Sequence, residues 1–343
     1  MLQIAFDKTL REENTFKVDV ASKYHVEVAS ADDVVELCHN PLFLNSNHLI
    51  VGSAANILFT HNFDGMIIKS KIEDVTVMSE TDDFVEVKVG SGVNWNGFVE
   101  YTLQHRWYGV ENLIGIPGLC GGCVVQNIGA YGMEIADSVV AVEAVDLIDS
   151  RHDKVTFLKE SCEFEYRNSV FKNTDNLNRY FITHIVFKLG KTYTAKTNYV
   201  SLKAALSEAG NMYPSVNDVV DMIKTIRAER LPDLNHIGCA GSFFKNPIVE
   251  YEKHRDTIER HNLIYHPVKA SATLCKLSAG QLIDLSGLKG FRLGQAGIYN
   301  RNALIMCNYG GATGEEIYRL SLYVVEKVKA KFGIGLVPEV VIW

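Results

Sequence analysis

The stretch GIPGLCGGCVVQNIGAYG, at residues 115–132, is the most unusual segment of this chain, because six of its eighteen residues are glycine. Each glycine inside a helix or strand costs about 0.5–1 kcal/mol in backbone entropy, so the segment is predicted to be a loop. Glycine also lets several backbone N–H groups converge on an anion such as pyrophosphate. Gln126 and Asn127 add amide donors and acceptors. Composition alone leaves two interpretations open, a pyrophosphate-binding loop and a crossover loop with tight turns.

A second small-residue turn, Gly52-Ser-Ala-Ala-Asn56, directly follows a strand predicted at 48–52. Such a turn can also hold a phosphate, although a plain connection between two elements is its commoner meaning. The chain contains neither the GxGxxG fingerprint of Rossmann domains nor the GxxxxGK[ST] of P-loops. The sequence therefore excludes the two commonest nucleotide-binding loops.

Length and charge limit the function further. The 343 residues are enough for two or three domains with substantial cores. The formal net charge is −7 and no basic block is present, which argues against nucleic acid as a partner. No apolar run approaches the ~20 residues that span a bilayer, and the charged N-terminus does not resemble a signal peptide. We therefore expect a cytoplasmic protein without a membrane partner, and a monomer because no apolar helix face is left over.

The seven cysteines are scattered, and only Cys120 and Cys123 form a close pair. A zinc ribbon needs a second such pair, and a thioredoxin-type pair opens a helix after a strand. This pair is predicted to lie in the glycine-rich loop instead. We therefore expect reduced thiols and no metal site.

Hydrophobic periodicity predicts an α+β protein with a strand-rich middle part and boundaries near 75 and 215. Ser30 is a predicted N-cap, while Ser215 with Asp218 and Thr313 with Glu316 have capping-box spacing. Helices are predicted at 95–104, 199–208, 216–230, 251–261, 280–285 and after 313. Strands are predicted at 48–52, 66–68, 84–89, 138–147, 154–158, 181–189, 303–307 and 336–343, with a loop at 232–247.

Three further motifs could carry chemistry, although each also has an ordinary structural meaning. Arg167 and Lys172 form a basic cluster of the kind that is usually solvated surface. Ser242 follows Gly241 in a turn, where its hydroxyl could simply bond its own backbone. Glu339 lies inside the apolar segment LVPEVVIW, and a carboxylate there must be exposed, paired or functional.

Taken together, the motifs resemble the UDP-N-acetylenolpyruvoylglucosamine reductase family, flavoenzymes of bacterial peptidoglycan precursor synthesis. The resemblance runs nearly from end to end. The motifs that carry it are NTF at 14–16, ENL at 111–113, IPG at 116–118, QNIGAYG at 126–132, YR at 166–167, FK at 171–172, LPD at 231–233, GSFFKNP at 241–247, LID at 282–284, LKG at 288–290 and PE at 338–339.

The resemblance implies a two-lobed FAD-binding domain of the vanillyl-alcohol-oxidase type, with lobes at 1–75 and 76–215. A C-terminal α+β substrate-binding domain would occupy 216–343. Such enzymes bind FAD non-covalently and take a hydride from NADPH. They deliver it to the enolpyruvyl double bond of UDP-N-acetylglucosamine enolpyruvate, which gives UDP-N-acetylmuramate.

The resemblance also assigns roles to residues. Ser242 matches the proton donor, and Arg167 and Glu339 match the residues that stabilise the enol-like intermediate. Substrate contacts match Tyr199, which covers the diphosphate in the subgroup with that loop, and also Arg230 and Asn246. The positions that match the FAD site are Gly52, Ser53, Ala54, Ala55, Asn56, Ile116, Pro117, Gly118, Gly122, Cys123, Gln126, Asn127, Gly129, Ala130, Tyr131, Gly132 and Arg227.

The flavin site departs from the family pattern at several positions. Ala54 and Ala55 replace a second glycine and a hydroxyl residue, and Gly122-Cys-Val124 replaces a Ser-Ser-Pro-like stretch. If position 54 requires a positive φ, alanine costs about 1 kcal/mol there. A lost hydroxyl donor costs about 1–3 kcal/mol. We therefore expect weakened FAD binding in an active enzyme.

Two alternatives stay open at this level. One is a flavin oxidoreductase of the same fold with another substrate. The other is a flavin-binding protein without catalysis, for which the altered turns are the argument.

Overall fold

A computed structural model describes residues 2–149, 151–268 and 271–343. Within these ranges the strands are β1 (Ile4–Thr9), β2 (Ala21–Val28), β3 (His48–Val51), β4 (Ile57–Leu58), β5 (Phe63–Ser70), β6 (Val75–Glu80), β7 (Phe84–Gly90), β8 (Gly129–Ala130), β9 (Met133–Glu134), β10 (Val139–Asp146), β11 (Lys154–Leu158), β12 (Tyr180–Gly190), β13 (Gly238–Ser242), β14 (Ile248–Glu250), β15 (Tyr265–Pro267), β16 (Leu274–Leu277), β17 (Arg292–Leu293), β18 (Ala296–Ile298), β19 (Ile305–Asn308) and β20 (Val341–Ile342). The helices are α1 (Ala31–Cys38), α2 (Pro41–Leu44), α3 (Trp95–Gln104), α4 (Cys120–Val125), α5 (Val200–Glu208), α6 (Val216–Arg230), α7 (Tyr251–Arg260), α8 (Ala279–Leu285) and α9 (Gly314–Phe332).

The chain divides into two compact units, each assembled from three separate segments. The first unit contains Met1–Lys8, Ser22–Ser53 and Phe63–Arg227. The second unit contains Thr9–Ala21, Ala54–Asn62 and Ala228–Trp343. The second unit thus includes two N-terminal segments as well as the C-terminal part. The three-domain division at 75 and 215 stays a prediction.

The first unit contains two main sheets. One has the order β1-β2-β5-β3, and its central strand β5 runs parallel to both β2 and β3. Most residues of β5 are buried, as expected for a strand covered on both faces. The other sheet is antiparallel with the order β11-β10-β12-β7-β6. Its core includes Trp95 and Phe98 of α3, and the ring centroid of Phe98 lies 5.0 Å from that of Phe187.

The second unit contains a four-stranded antiparallel sheet in the order β13-β19-β18-β17 and a three-stranded sheet in the order β14-β16-β15. Helix α9 packs against the larger sheet through Ile317, Leu320, Val324 and Val328, all fully buried. Near the C-terminus, β20 pairs in parallel with β4. This short ladder ties the last residues of the chain to the 54–62 segment.

Most predicted elements are confirmed. Helix α3 begins and ends where it is predicted, at 95–104. Ser30 caps α1, and its hydroxyl accepts a hydrogen bond from the Asp33 N–H at 3.1 Å. The predicted capping box of α9 is present in both directions, since the Thr313 N–H donates to Glu316 and the Glu316 N–H donates to Thr313.

The prediction that Cys120 and Cys123 lie in a loop is wrong, because they lie in helix α4. Tertiary contacts outweigh the low helix propensity of its glycines. The Gly121 N–H donates to the Ser91 carbonyl at 3.0 Å, and a Cβ at position 121 would lie 2.8 Å from the Ser91 Cβ. Helix α4 therefore packs so closely on this segment that only glycine fits. All seven cysteines, each among the described residues, are buried free thiols.

Two other predictions are wrong in their extent. The predicted loop at 232–247 contains strand β13, which pairs with β19. The predicted strand at 336–343 is regular only in β20, while Pro338 forms an isolated bridge with Phe244. Proline lacks the N–H that a continuous ladder requires, which accounts for the late start of the strand.

Two searches of the described residues gave negative results. No helix there is long and apolar enough to cross a membrane. No group of three or more His, Cys, Asp or Glu side chains in those ranges could hold a metal ion.

A buried ion pair at the end of β10 gives a prediction about acid stability. Asp146 is 5% exposed, and Arg179 Nη2 lies 2.7 Å from its Oδ2. Burial alone raises the pKa of Asp146, but the Arg179 hydrogen bond and the N–H groups of Ile148 and Asp149 outweigh it, so the pKa is lowered from 3.8. A lowered carboxyl pKa stabilises the fold above the unfolded-state pKa, and this contribution is lost as the pH falls through the folded-state value.

Arg179→Met is expected to lower the free energy of unfolding at pH 7, because it removes the hydrogen-bonded charge partner of a buried carboxylate. Urea unfolding at several pH values measures it. The difference from wild type should shrink below about pH 4, where Asp146 becomes protonated in the unfolded chain. Arg151→Met is the control, because the Arg151 side chain is 75% exposed in its ion pair with Asp153. A loss that does not change with pH would contradict this account.

Candidate functional site

In the first unit, the backbone at Gly129 approaches Arg167 closely. Arg167 Nη2 donates to the Gly129 carbonyl at 2.6 Å. A Cβ at position 129 would lie 3.0 Å from Arg167 Nη1 and 2.9 Å from Glu134 Cγ. Any side chain there would displace the guanidinium or its neighbour. Glycine at 129 therefore allows the predicted charge-stabilising residue to take its place.

Arg167 itself lies in a tight turn and has a left-handed backbone conformation, with φ +57°. The flanking residues Glu165 and Asn168 exchange two backbone hydrogen bonds of 3.1 Å. The guanidinium also lies over the Tyr166 ring, 5.1 Å from its centroid. A left-handed non-glycine residue costs about 1–2 kcal/mol, so these contacts must hold it. Arg167 is half-buried rather than part of a solvated surface.

The amide of Asn127 supports the loop from inside. Asn127 is fully buried, and its Nδ2 donates to Glu134 Oε2 at 3.1 Å and to the Glu165 carbonyl at 2.8 Å. Its Oδ1 accepts from the Ala136 N–H at 3.3 Å. The side chain thus connects the glycine-rich stretch to the turn before Arg167. Its backbone N–H also donates within the protein, to the Val124 carbonyl at 3.0 Å, so the predicted contact of Asn127 with FAD stays a prediction.

Three more predicted residues, Tyr131, Tyr199 and Arg227, are connected to one another through Tyr131. The Tyr131 ring lies edge-on to the Tyr199 ring, with centroids 5.5 Å apart. Tyr199 is the N-cap residue of α5 and is 49% exposed. Arg227 of α6 donates to the Gly115 carbonyl at 2.8 Å. Burial lowers the pKa of Arg227, and a hydrogen bond with the Tyr131 hydroxyl partly opposes this effect.

Sequence reasoning assigned no role to two residues that organise this region. Asn112 is fully buried and donates to the carbonyls of Tyr131, at 2.9 Å, and Lys196, at 2.8 Å. It thereby holds the Tyr131 turn to the segment that leads to Tyr199. Lys172 contacts the side-chain oxygen of Gln126. Both residues lie in family motifs quoted above, ENL and FK, and these motifs could have pointed to them as site residues.

The remaining predicted FAD residues of the first unit lie in turns, a helix and a hairpin. They are Gly52 after β3, Ile116, Pro117 and Gly118 before α4, Gly122 and Cys123 in α4, and Ala130 and Gly132 in the β8–β9 hairpin.

The turn at 52–56 contains the positive φ at position 54 that the sequence analysis considered. Ala54 has a φ of +42° and is 4% exposed. Its carbonyl accepts a 3.5 Å hydrogen bond from the Thr15 hydroxyl. Position 54 therefore does require a left-handed conformation, which costs alanine about 1 kcal/mol.

In the second unit, Ser242 and Glu339 lie on adjacent chain segments. Ser242 ends β13, where the pairing with β19 is irregular and Gly241 has a φ of +68°. The Glu339 N–H donates to the Phe243 carbonyl at 2.8 Å. Asn56 Nδ2 in turn donates to the Glu339 carbonyl at 3.2 Å. The structure therefore brings together two of the three predicted catalytic residues within this unit.

The other predicted substrate residues of the second unit differ in their surroundings. Asn246 Oδ1 accepts from the Ala279 N–H at 3.0 Å, at the first residue of α8. A substrate contact of Asn246 would thus use its Nδ2. Arg230 is the last residue of α6 and is exposed.

Several features of the first unit fit FAD. The Ser53 hydroxyl oxygen is buried without a hydrogen-bond partner, in the turn predicted to hold a phosphate. At Gly122 an added Cβ would meet no atom within 4 Å, so there is open space beside α4. Arg227 supplies a positive charge beside the glycine-rich stretch. An unsatisfied hydroxyl, open backbone and a nearby cation are what a dinucleotide diphosphate requires.

Comparison with known proteins covers nearly the whole chain. A family model described as the C-terminal domain of UDP-N-acetylenolpyruvoylglucosamine reductase matches residues 232–343, and one described as an FAD binding domain matches 22–151. The UDP-N-acetylenolpyruvoylglucosamine reductase of Chromobacterium violaceum is 38% identical over 338 residues, which cover 98% of both chains. That of Bacteroides fragilis is 39% identical over 335 residues, which cover 97% of this chain and 98% of the relative.

Among solved structures, the UDP-N-acetylenolpyruvylglucosamine reductase of Thermus caldophilus has a TM-score of 0.67. The alignment covers 100% of this chain and 99% of that one at 20% identity, so it concerns the fold. With the family models, it confirms the predicted α+β fold with an FAD-binding domain and a C-terminal domain.

The strain at position 54 gives a prediction with a matched control. Ala54→Gly relieves a left-handed alanine, whereas Ala55→Gly does not, because Ala55 has a negative φ. Both changes raise the conformational entropy of the unfolded chain, which lowers the free energy of unfolding by a similar amount, about 0.4–1 kcal/mol. Ala54→Gly is therefore expected to be more stable than Ala55→Gly by about 1 kcal/mol, measured by urea unfolding. Equal stability, or a more stable Ala55→Gly protein, would show that position 54 is unstrained.

Proposed function

The chain belongs to the UDP-N-acetylenolpyruvoylglucosamine reductase family, and we propose that it reduces UDP-N-acetylglucosamine enolpyruvate to UDP-N-acetylmuramate. The reaction uses FAD, with NADPH as the hydride source, and it supplies peptidoglycan synthesis. The observation that carries the residue assignment is the 2.8 Å hydrogen bond between the Glu339 N–H and the Phe243 carbonyl. It supports a catalytic pair of Ser242 and Glu339.

The bound isoalloxazine supplies the hydride chemistry. Hydride addition to the β-carbon of an enol ether leaves negative charge on the α-carbon and its carboxylate. Arg167 neutralises this charge at short range, which is typically worth a few kcal/mol in a site that excludes water. Its bond to the Gly129 carbonyl fixes one side of the guanidinium.

Ser242 then gives the α-carbon a proton from its hydroxyl. A serine hydroxyl is a weak acid in water, so it is effective only toward a strongly basic carbanion within hydrogen-bond reach. The Gly241 turn and the irregular pairing of β13 hold the hydroxyl at the end of the strand. Glu339, on the adjacent segment, stabilises the enol-like intermediate together with Arg167.

The proposed substrate contacts are polar and lie at accessible positions. Tyr199 is half exposed at the start of α5, where its ring can cover a diphosphate. Arg230 is an exposed cation that can bind the same group. The substrate and NADPH are both soluble nucleotides, so we place the enzyme in the cytoplasm, where it acts as a monomer.

Ser242→Ala is expected to separate the two half-reactions. NADPH should still bleach the flavin, because hydride transfer to FAD does not need this hydroxyl. Reoxidation by the enolpyruvyl substrate should slow by about 100- to 10,000-fold, the usual range for loss of a general acid. Anaerobic stopped-flow absorbance measures both steps. The control is Ser79→Ala, since Ser79 lies on the exposed strand β6 and its hydroxyl donates to Glu86 Oε2 at 3.3 Å.

Wild-type behaviour in the same experiment tests the function itself. A flavin that NADPH does not bleach would indicate a non-catalytic flavin-binding protein. A flavin that is bleached but not reoxidised by this substrate would indicate an oxidoreductase with another substrate. Normal reoxidation in Ser242→Ala would remove Ser242 from the mechanism while leaving the reaction intact.

We also propose that the alanines of the first turn weaken FAD binding. Ala55→Ser restores a hydroxyl donor toward the diphosphate and is expected to tighten FAD binding about tenfold, equivalent to ~1.4 kcal/mol. Fluorescence titration of the apoprotein measures this affinity, with Ala209→Ser after α5 as the control. Wild-type retention of FAD through ultrafiltration as tight as in a relative with the full glycine turn would refute the proposal.

A further inference from the structure

Both peptide groups that flank the Cα of Glu339 are held by named partners. The Glu339 N–H donates to the Phe243 carbonyl at 2.8 Å. The Glu339 carbonyl accepts from Asn56 Nδ2 at 3.2 Å. Because these two groups define the backbone angles of Glu339, they also fix the direction of its Cα–Cβ bond. Asn56 thus contributes, together with Phe243, to the position at which the carboxyl side chain begins.

The chain beyond Glu339 is anchored independently of the Asn56 side chain. The Val341 N–H donates to the Asn56 carbonyl at 3.0 Å, and the Trp343 N–H donates to the Leu58 carbonyl at 2.9 Å. The N–H and hydroxyl of Thr60 both donate to the Trp343 carbonyl at 2.7 Å. Apart from the Thr60 hydroxyl, these bonds come from the backbone. Removal of the Asn56 amide therefore leaves β4 and β20 paired. It removes one bond to the peptide after Glu339, whose Val340 N–H still donates to the Phe243 carbonyl at 3.5 Å.

The family pattern places Asn56 in the FAD-binding turn, but its side-chain amide donates to the Glu339 carbonyl instead. We infer that Asn56 is a positioning residue for Glu339, which it orients through the Glu339 carbonyl during reduction of the enolpyruvyl substrate. The inference rests on the proposed function of Glu339. It differs from a cofactor role in a measurable way, because a cofactor ligand affects FAD affinity and both half-reactions.

Asn56→Ala removes the donor and tests the inference. FAD affinity, from fluorescence titration of the apoprotein, should stay within about twofold of wild type. The rate of flavin bleaching by NADPH should also be unchanged. Single-turnover reoxidation by the enolpyruvyl substrate should fall by about 10- to 100-fold, the range expected when a catalytic group is misplaced by a fraction of an ångström to 1 Å.

Two further proteins make the result specific. Asn62→Ala is the matched control, since Asn62 lies in the same segment but its side chain accepts only from the Ala21 N–H. The double variant Asn56→Ala/Glu339→Ala should reoxidise no more slowly than Glu339→Ala alone, because Asn56 acts through Glu339. Thermal unfolding of Asn56→Ala should show the same single transition as wild type.

Three outcomes would overturn the inference. They are a large loss of FAD affinity with normal reoxidation of the loaded enzyme, equal slowing of both half-reactions, and a full additional loss in the Glu339→Ala background. A wild-type enzyme that the enolpyruvyl substrate cannot reoxidise would instead overturn the proposed function. The two failures are distinguishable, because the second is seen without any substitution.

Discussion

The parallel pairing of β4 with β20 is the interaction on which the catalytic part of the second unit depends. It consists of only two residue pairs, Ile57 with Val341 and Leu58 with Ile342. It nevertheless brings a segment from the N-terminal part of the chain beside the last residues. Glu339 lies two residues before this ladder and Asn56 one residue before it. A short ladder between distant parts of the sequence therefore decides where a proposed catalytic carboxyl begins.

Among the described residues, four of the eleven non-glycine positions with a left-handed backbone are predicted site residues. Ala54, Asn127, Tyr131 and Arg167 all have φ values between +42° and +57°. Asparagine tolerates this conformation because its side chain can bond nearby backbone groups, as Asn127 does. The other three have no such advantage. Their conformations persist because surrounding contacts fix them, as a preorganised site requires.

Sequence patterns could predict the elements whose signals are local. The capping boxes at Ser215 and Thr313 mark where α6 and α9 begin, because a cap is made within four residues. Helix α4 and strand β13 were missed because distant partners stabilise them. For α4 the partner is the chain at Ser91, and for β13 it is β19. No window of sequence contains such contacts.

The same distinction applies to the site. Motifs could name Asn127 and Asn246, but not that each uses its side-chain oxygen inside the protein. Nor could they indicate that Asn112 ties the Tyr131 turn to the segment before Tyr199. A motif shows that a position belongs to the site. Which atoms of that residue donate and accept hydrogen bonds is seen only in the structure. The second kind of information depends on where the chain folds back on itself.

The difference between side-chain and backbone contacts also explains how the chain can depart from its family pattern in the turn at 54–55 but not around Ser242 and Glu339. The alanine at 55 replaces a hydroxyl that would face the cofactor, so its cost falls on binding, whereas the alanine at 54 strains the turn itself. The connection between Ser242 and Glu339 is made by the Glu339 N–H and the Phe243 carbonyl, which no side-chain substitution removes. Backbone bonds of this kind preserve the arrangement of the reacting groups while the flavin turn changes. The proposed combination of weaker cofactor binding with intact chemistry is consistent with this arrangement.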